Sequence, residues 1–343
     1  MPSPLATILS PPAPRHLVST ALSVVLVALF SLGAAVGMAS IVGFHRMVSV
    51  LASVDTPWIA VSAGGVLLAF LGYRMAFDQV IWAGTDNVSR RARLGVVTAG
   101  FGAFLHRGGT AIDRYVMRAT GTDHRESDVR LAALQAIEMA PLAVGACVTG
   151  VVALAVGGHW GPPVGYSLPW VIGPLVGAPT ALWLAHRFRA RFEDGRGWRY
   201  WTGVVLEGVW MLRSPHGPGG PVRRGSPFFG MALFSAGELL ALWAGMSAFG
   251  YAMSLPALIL GYGVGYVLSR RSAPLGGAGV IDVLLILALT GAGAPLAAAI
   301  AGTFTYRFFN LWCTMPASLF ALSRVRRFAD SQRLAITGPP LEI

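Results

Sequence analysis

The sequence contains no lysine: all 26 of its basic residues are arginine. Its positive charge is carried by groups that are never deprotonated and that can grip a carboxylate or phosphate with two hydrogen bonds. Charge of either sign is scarce, at 12% of residues, and 15 acids leave a net charge of +11. A soluble domain has about 25% charged residues, so this composition excludes the ordinary soluble classes. Cysteine is nearly absent. Cys147 and Cys313 fall in apolar stretches, which excludes a disulfide framework and a cysteine metal site. The seven histidines, from His16 to His216, show no HExxH or other ligand spacing, and His106 reads as interfacial. No serine or cysteine nucleophile has a base near it in sequence. These patterns predict no metal, no cofactor and no catalytic residue.

What is present is hydrocarbon. Hydrophobic residues make up 55% of the chain and the mean hydropathy is +0.63, the signature of an all-α, polytopic integral membrane protein. Residues 1–343 read as one membrane domain. After a proline-rich N-terminal tail, 1–14, expected to be flexible, Leu17 to Phe44 runs without a charge, long enough to span a bilayer and too long for a signal peptide. Further spans are expected from Trp58 to about Trp82, Leu131 to Val156, 170 to 186 with kinks at Pro174 and Pro179, Phe228 to about Tyr251, Leu255 to Leu268, and Pro295 to Leu322. That makes about seven spanning helices. Arg74 and Asp78, four apart on one face, form a structural ion pair in this reading.

Two segments do not fit a simple crossing. Leu94 to Leu105 is too short to span and ends in His106-Arg107-Gly108-Gly109. The stretch Ala273-Pro274-Leu275-Gly276-Gly277-Ala278-Gly279-Val280-Ile281-Asp282 places a proline, three glycines and a carboxylate between apolar runs. Broken backbone at membrane depth must line protein or water, so re-entrant or broken segments are expected near 94–118 and 274–291. With both re-entering, the arginine-rich links at 90–130, 187–224, 270–271 and after 323 share one side. The arginine-free links at 157–169 and 250–254 lie on the other. The positive-inside rule then gives a multi-pass protein of the cell (cytoplasmic) membrane, with both termini and the 324–343 tail cytoplasmic. Within the cytoplasmic loop at 187–224, Trp198 to Trp210 reads as an interfacial amphipathic helix anchored by tryptophan and tyrosine. Its flanking spans argue against nucleic acid as a partner. In the polar link 123–128, Ser127 or Asp128 is expected to cap a helix.

Inside the spans the charges are few: Glu138, Glu238, Asp282 and Arg307. A charge at mid-membrane costs at least about 2.5–3.5 kcal/mol, so such groups face a cavity or a partner. Arg307 is the cation available to Asp282 or Glu238, and both choices remain open at this level. Gly276, Gly277 and Gly279 allow close approach of backbone to a ligand, and the helix that follows offers its N-terminal N–H groups to an anion.

The run 270–282, with Arg307 in the next helix, resembles the C-terminal signature of the lysylphosphatidylglycerol synthase transmembrane (flippase-like) family, in which a Pro-Gly-Gly-x-Gly-x-x-Glu stretch precedes such an arginine. This chain has Leu275 within that pattern and Asp282 in place of the glutamate. The region from Gly102 to Arg118, with Arg107-Gly108-Gly109 and Asp113-Arg114-Tyr115, is similar, more loosely, to an earlier motif of the family. The resemblance implies a membrane domain with re-entrant segments that binds polar lipids and moves them between leaflets. Aminoacyl transfer, which in that family belongs to a soluble domain, is not expected here. On this reading Gly276, Gly277, Gly279, Asp282, Arg307 and Glu238 line a headgroup path, with Arg107 and Arg114 contributing from the first break. The expected partners are membrane lipids, either anionic phospholipid or lipid-linked glycan, and a soluble or membrane lipid-modifying enzyme. The alternatives are a membrane-embedded enzyme acting on a lipid or lipid-linked sugar, and an accessory subunit of an envelope synthase.

Overall fold

The computed structural model describes residues 15–83, 88–101, 109–156, 164–187, 192, 197–213, 225–266 and 274–337. Among these, all regular structure is helical. Five helices are long and apolar enough to cross a membrane: Thr20–Val42, Thr56–Val80, His124–Ala155, Ser167–Leu184 and Pro227–Ser247. Burial is inverted relative to a soluble protein. Leu29, Leu67, Val144 and Phe229 are each at least 60% exposed, while Asp113, Glu238 and Asp282 are 0% exposed and Arg307 is 2%. Apolar side chains outside and charges inside mark a membrane protein, because water is the phase such a surface avoids.

The chain opens with α1 (Arg15–Val42), which Gly43 ends at φ 94°, a left-handed conformation that glycine adopts without strain. The short α2 (Phe44–Ala52) follows. Pro57 sits in the first turn of α3 (Thr56–Val80), where its missing N–H costs nothing. In the first unusual segment the described residues form α4 (Arg90–Phe101) and α5 (Thr110–Ala119). Arg107 and Gly108 lie outside the described residues.

Helix α6 (His124–Val156) runs through Pro141 and begins seven residues earlier than its apolar run. Its cap is Asp123, whose carboxylate accepts from the Arg125 N–H at 2.9 Å, rather than Ser127 or Asp128. Backbone N–H groups of Arg125 and His124 hold the Asp123 carboxyl below its ordinary range. Ser127 bonds back to the Asp123 carbonyl, and Asp128 is committed to an ion pair described below.

The proline-rich span forms α7 (Val164–Ile172), a wide π turn at Gly173–Gly177 and α8 (Ala178–Arg187). Then come the amphipathic α9 (Trp198–Arg213), α10 (Gly225–Ser247), α11 (Leu255–Gly265) and α12 (Val280–Gly291). The last segment is not one helix. It divides into α13 (Leu296–Arg307), a π turn at Phe308–Trp312 and α14 (Thr314–Thr337). The residues from 324, expected as a tail, continue α14, which Tyr115 ties to α5 through the Asp330 carboxylate at 2.9 Å.

Two glycine-lined contacts set the frame. As α3 rises from Gly65 to Ala69 to Gly72, its neighbours on α10 fall from Ala241 to Gly237 to Gly230, so the two helices are antiparallel. A Cβ at Gly65 would lie 2.6 Å from the Ala241 nitrogen and one at Gly72 2.5 Å from the Phe234 nitrogen, so the backbones touch. Small residues at three- and four-residue spacing are what membrane helices use for such approach, since lipid supplies no hydrophobic drive between them. Gly245 meets Gly302 in the same way, with a Cβ at Gly245 lying 2.8 Å from the Gly302 carbonyl, and this seats α13 on α10.

Candidate functional site

The site is built where the backbone leaves the helical path. Leu275, Gly276 and Gly277 have φ of 55°, 61° and 67°, and Gly279 has φ 77°. Three successive left-handed residues fold the chain into a tight turn that ends at the N-terminus of α12. The leucine occupies a conformation that costs about 1–2 kcal/mol outside glycine. Its side chain packs against a small buried cluster made by Val27 of α1, Ala278, and Leu311 and Met315 beyond α13.

The turn delivers Asp282 to the third position of α12. There Oδ2 accepts the Gly279 N–H at 2.9 Å and the Ser31 hydroxyl of α1 at 3.3 Å. On its other side Oδ1 lies 2.5 Å from Nε of Arg307, the last residue of α13. Arg307 Nη2 donates to the Gly276 carbonyl at 2.9 Å, so one guanidinium holds both the carboxylate and the turn. Of the two acids open to Arg307, the structure pairs it with Asp282. Helix α1 closes this centre: a Cβ at Gly279 would lie 3.0 Å from the Phe30 carbonyl. Few side chains of α1 are buried, and Leu22, Val25, Leu29 and Phe30 are exposed, so the cover is lightly held.

Glu238 occupies a neighbouring centre on α10. Its Oε2 accepts from the hydroxyl of Tyr262 at 3.2 Å, from Nδ2 of Asn310 at 3.2 Å and from the hydroxyl of Tyr306. Tyr306 and Arg307 are consecutive, so the last turn of α13 serves both acids. On α11, Tyr262 stacks on Tyr266 with ring centroids 5.0 Å apart. Tyr266 donates to Glu138 of α6 at 3.2 Å.

Arg114 belongs to a third cluster, at the N-terminal end of α6. Its Nε lies 2.6 Å from Asp128, which also accepts from the Tyr200 hydroxyl of α9 at 2.8 Å. Arg125 holds Glu207 of α9 with two bonds, at 2.7 and 3.1 Å. Burial, and then the Asp128 carboxylate, push the Tyr200 phenol up. These bonds dock α9 on α6, with Trp198, Trp201 and Trp210 facing outward at 68%, 50% and 42% exposure. Arg74 and Asp78 form their pair at 3.9 Å.

Thus Gly276, Gly279, Asp282 and Arg307 meet in one centre, with Gly277 in its turn and Glu238 one side chain away. Sequence reasoning missed Ser31, Tyr262, Tyr306 and Asn310, polar side chains set within largely apolar segments. Among the described residues no group of three or more histidine, cysteine or acidic side chains is placed to hold a metal ion. Compared with known proteins, the chain matches no family model and no curated protein.

Proposed function

We propose that this protein binds a polar lipid headgroup within the bilayer and moves it between leaflets, with Arg307 and Asp282 as the exchange pair. The observation that carries this reading is a desolvated arginine–aspartate pair at a left-handed glycine turn, roofed by the lightly packed α1. A guanidinium paired with one carboxylate can trade it for a phosphate of similar geometry, because both are bound through the same planar fork. Asp282 then keeps the Gly279 N–H at the start of its own helix, so it is not left without a donor while Arg307 is engaged. Displacement of α1 opens the pair to the lipid phase. The resemblance of 270–282 to the flippase-like family points the same way. In this reading about seven segments cross, the glycine turn re-enters, α9 lies in the headgroup layer, and both termini are cytoplasmic.

The test is reconstitution into liposomes with headgroup-labelled phosphatidylglycerol, following movement by loss of the label to a membrane-impermeant quencher. The wild type accelerates movement, and the double variant Asp282→Leu with Arg307→Met, which leaves no orphaned charge, folds and is inactive. Wild-type rates in that folded variant overturn the reading. Chemical conversion of the lipid without movement favours a membrane-embedded enzyme.

A further inference from the structure

Two apolar grooves lie end to end along one seam, and Phe309 lines both. The first, about 530 Å³, is walled by α1, α2, α3 and α13, with Val36, Ala39, Val48, Phe304 and Phe308 among its lining. The second, about 460 Å³, is walled by α3, α4 and the start of α14, with Leu67, Phe70, Thr98, Cys313 and Ala317 among its lining. Along α3 the lining passes from Ile59 in the first to Ala63–Phe70 in the second. Along the last segment it passes from Ile300 to Ser318. At 1.5 Å per residue that run is about 27 Å, close to the ~30 Å thickness of the hydrocarbon layer. Phe309 stands near its midpoint, two residues past Arg307.

From this we infer that the grooves are two seats for a phospholipid acyl chain, one facing each leaflet, and that Phe309 is the divider a chain passes as its headgroup crosses at Arg307. The lining and size suit the occupant: both grooves are walled almost entirely by apolar side chains and are of a size to seat a single acyl chain. Position supports it as well: Ala35 of the first groove is one helical turn beyond Ser31, which bonds Asp282, so chain and headgroup sites share the wall of α1. The inference rests on the headgroup reading above and adds the chain to it.

The experiment uses the full chain in liposomes containing phosphatidylglycerol with a diazirine near the chain end, photolysed and mapped by peptide mass spectrometry. Labelling is expected at residues of both grooves, at least tenfold above Leu29 and Val144, which are 62% exposed but outside the seam. Val36→Trp is expected to remove the label from the first groove alone, and Leu67→Trp from the second alone. Both positions are more than half exposed, so neither change burdens the core. Labelling that merely follows exposure overturns the proposal, as does preferential labelling by a diazirine polyprenyl phosphate. If the grooves are labelled but no lipid moves, the seats stand and the translocation reading fails. If lipid moves while labelling ignores the grooves, the seats fail alone.

Discussion

Removing either member of the Arg307–Asp282 pair leaves a charge with no place in the bilayer. At an N–O distance of 2.5 Å the charge centres are about 4 Å apart, worth about 4 kcal/mol at an effective dielectric of about 20. Orphaning one partner of a buried pair typically costs about 3–5 kcal/mol, in agreement. Asp282→Leu and Arg307→Met are therefore each expected to cost about that much. The double variant loses the bonds to the Gly279 N–H, the Ser31 hydroxyl and the Gly276 carbonyl, about 1.5–3 kcal/mol each, but no longer desolvates either charge, which offsets most of that loss. It should cost about 1–3 kcal/mol, so the double-mutant cycle shows a coupling of at least about 3 kcal/mol. Equilibrium unfolding in mixed detergent micelles, followed by tryptophan fluorescence, measures all four corners. A double variant whose loss equals the sum of the single losses, within about 0.5 kcal/mol, refutes the reasoning.

The same substitution should have opposite signs at two glycines. Gly237→Ala drives a Cβ into the α3 backbone at Ala69 and is expected to cost about 1–3 kcal/mol, whereas at Gly64 an added Cβ meets nothing within 4 Å and alanine stabilises by up to about 1 kcal/mol. Thermal unfolding of the two variants against the parent checks both. Tyr200→Phe removes a hydrogen bond to the Asp128 carboxylate, about 1.5–3 kcal/mol before solvent screening and less in this part-exposed site, and should increase hydrogen exchange in α9 but not in α10. Because the folded phenol is pushed above its unfolded value, its contribution is complete below an unfolded pKa of about 10 and fades as pH rises through the folded value. Phenolate absorbance titration of wild type against Tyr200→Phe should show one tyrosine ionising late; identical curves contradict this.

The five long apolar helices were legible because a run of about twenty apolar residues has no other stable home. The glycine turn was legible for the opposite reason: Pro274 and its glycines cannot continue a helix. Hydropathy lacks the information that ends a helix inside a long apolar run. Gly43 stops α1 where composition continues, and the π turn at Phe308–Trp312 interrupts a predominantly apolar segment. Partner choice was equally hidden. Arg307 lies 25 residues from Asp282 in sequence and 69 from Glu238, and nothing local ranks them. Ser31 reaches Asp282 across 251 residues only because α1 folds back over the turn. Arg114, grouped with the glycine break by its neighbours in sequence, is held instead by Asp128 on α6.

The end of α13 concentrates these parts in five residues. Tyr306 turns to Glu238 and Arg307, about 100° further around the helix, turns to Asp282. Asn310 returns to Glu238 within the π turn, and Phe309 between them faces the seam. A single helix end therefore cannot move relative to α10 without stretching the Tyr306 and Asn310 bonds, nor relative to α12 without stretching the Arg307 pair. The wide turn is the element able to absorb such a shift. Its Cys313 N–H bonds five residues back to the Phe308 carbonyl at 2.8 Å, and it carries one residue more than an α-helical turn. In the proposed exchange, release of Arg307 from Asp282 removes a polar tie between the end of α13 and α12, which still share an apolar core, while Glu238 holds that end to α10. On that proposal the helix end would shift along the α3 seam, where Phe309 lines both grooves.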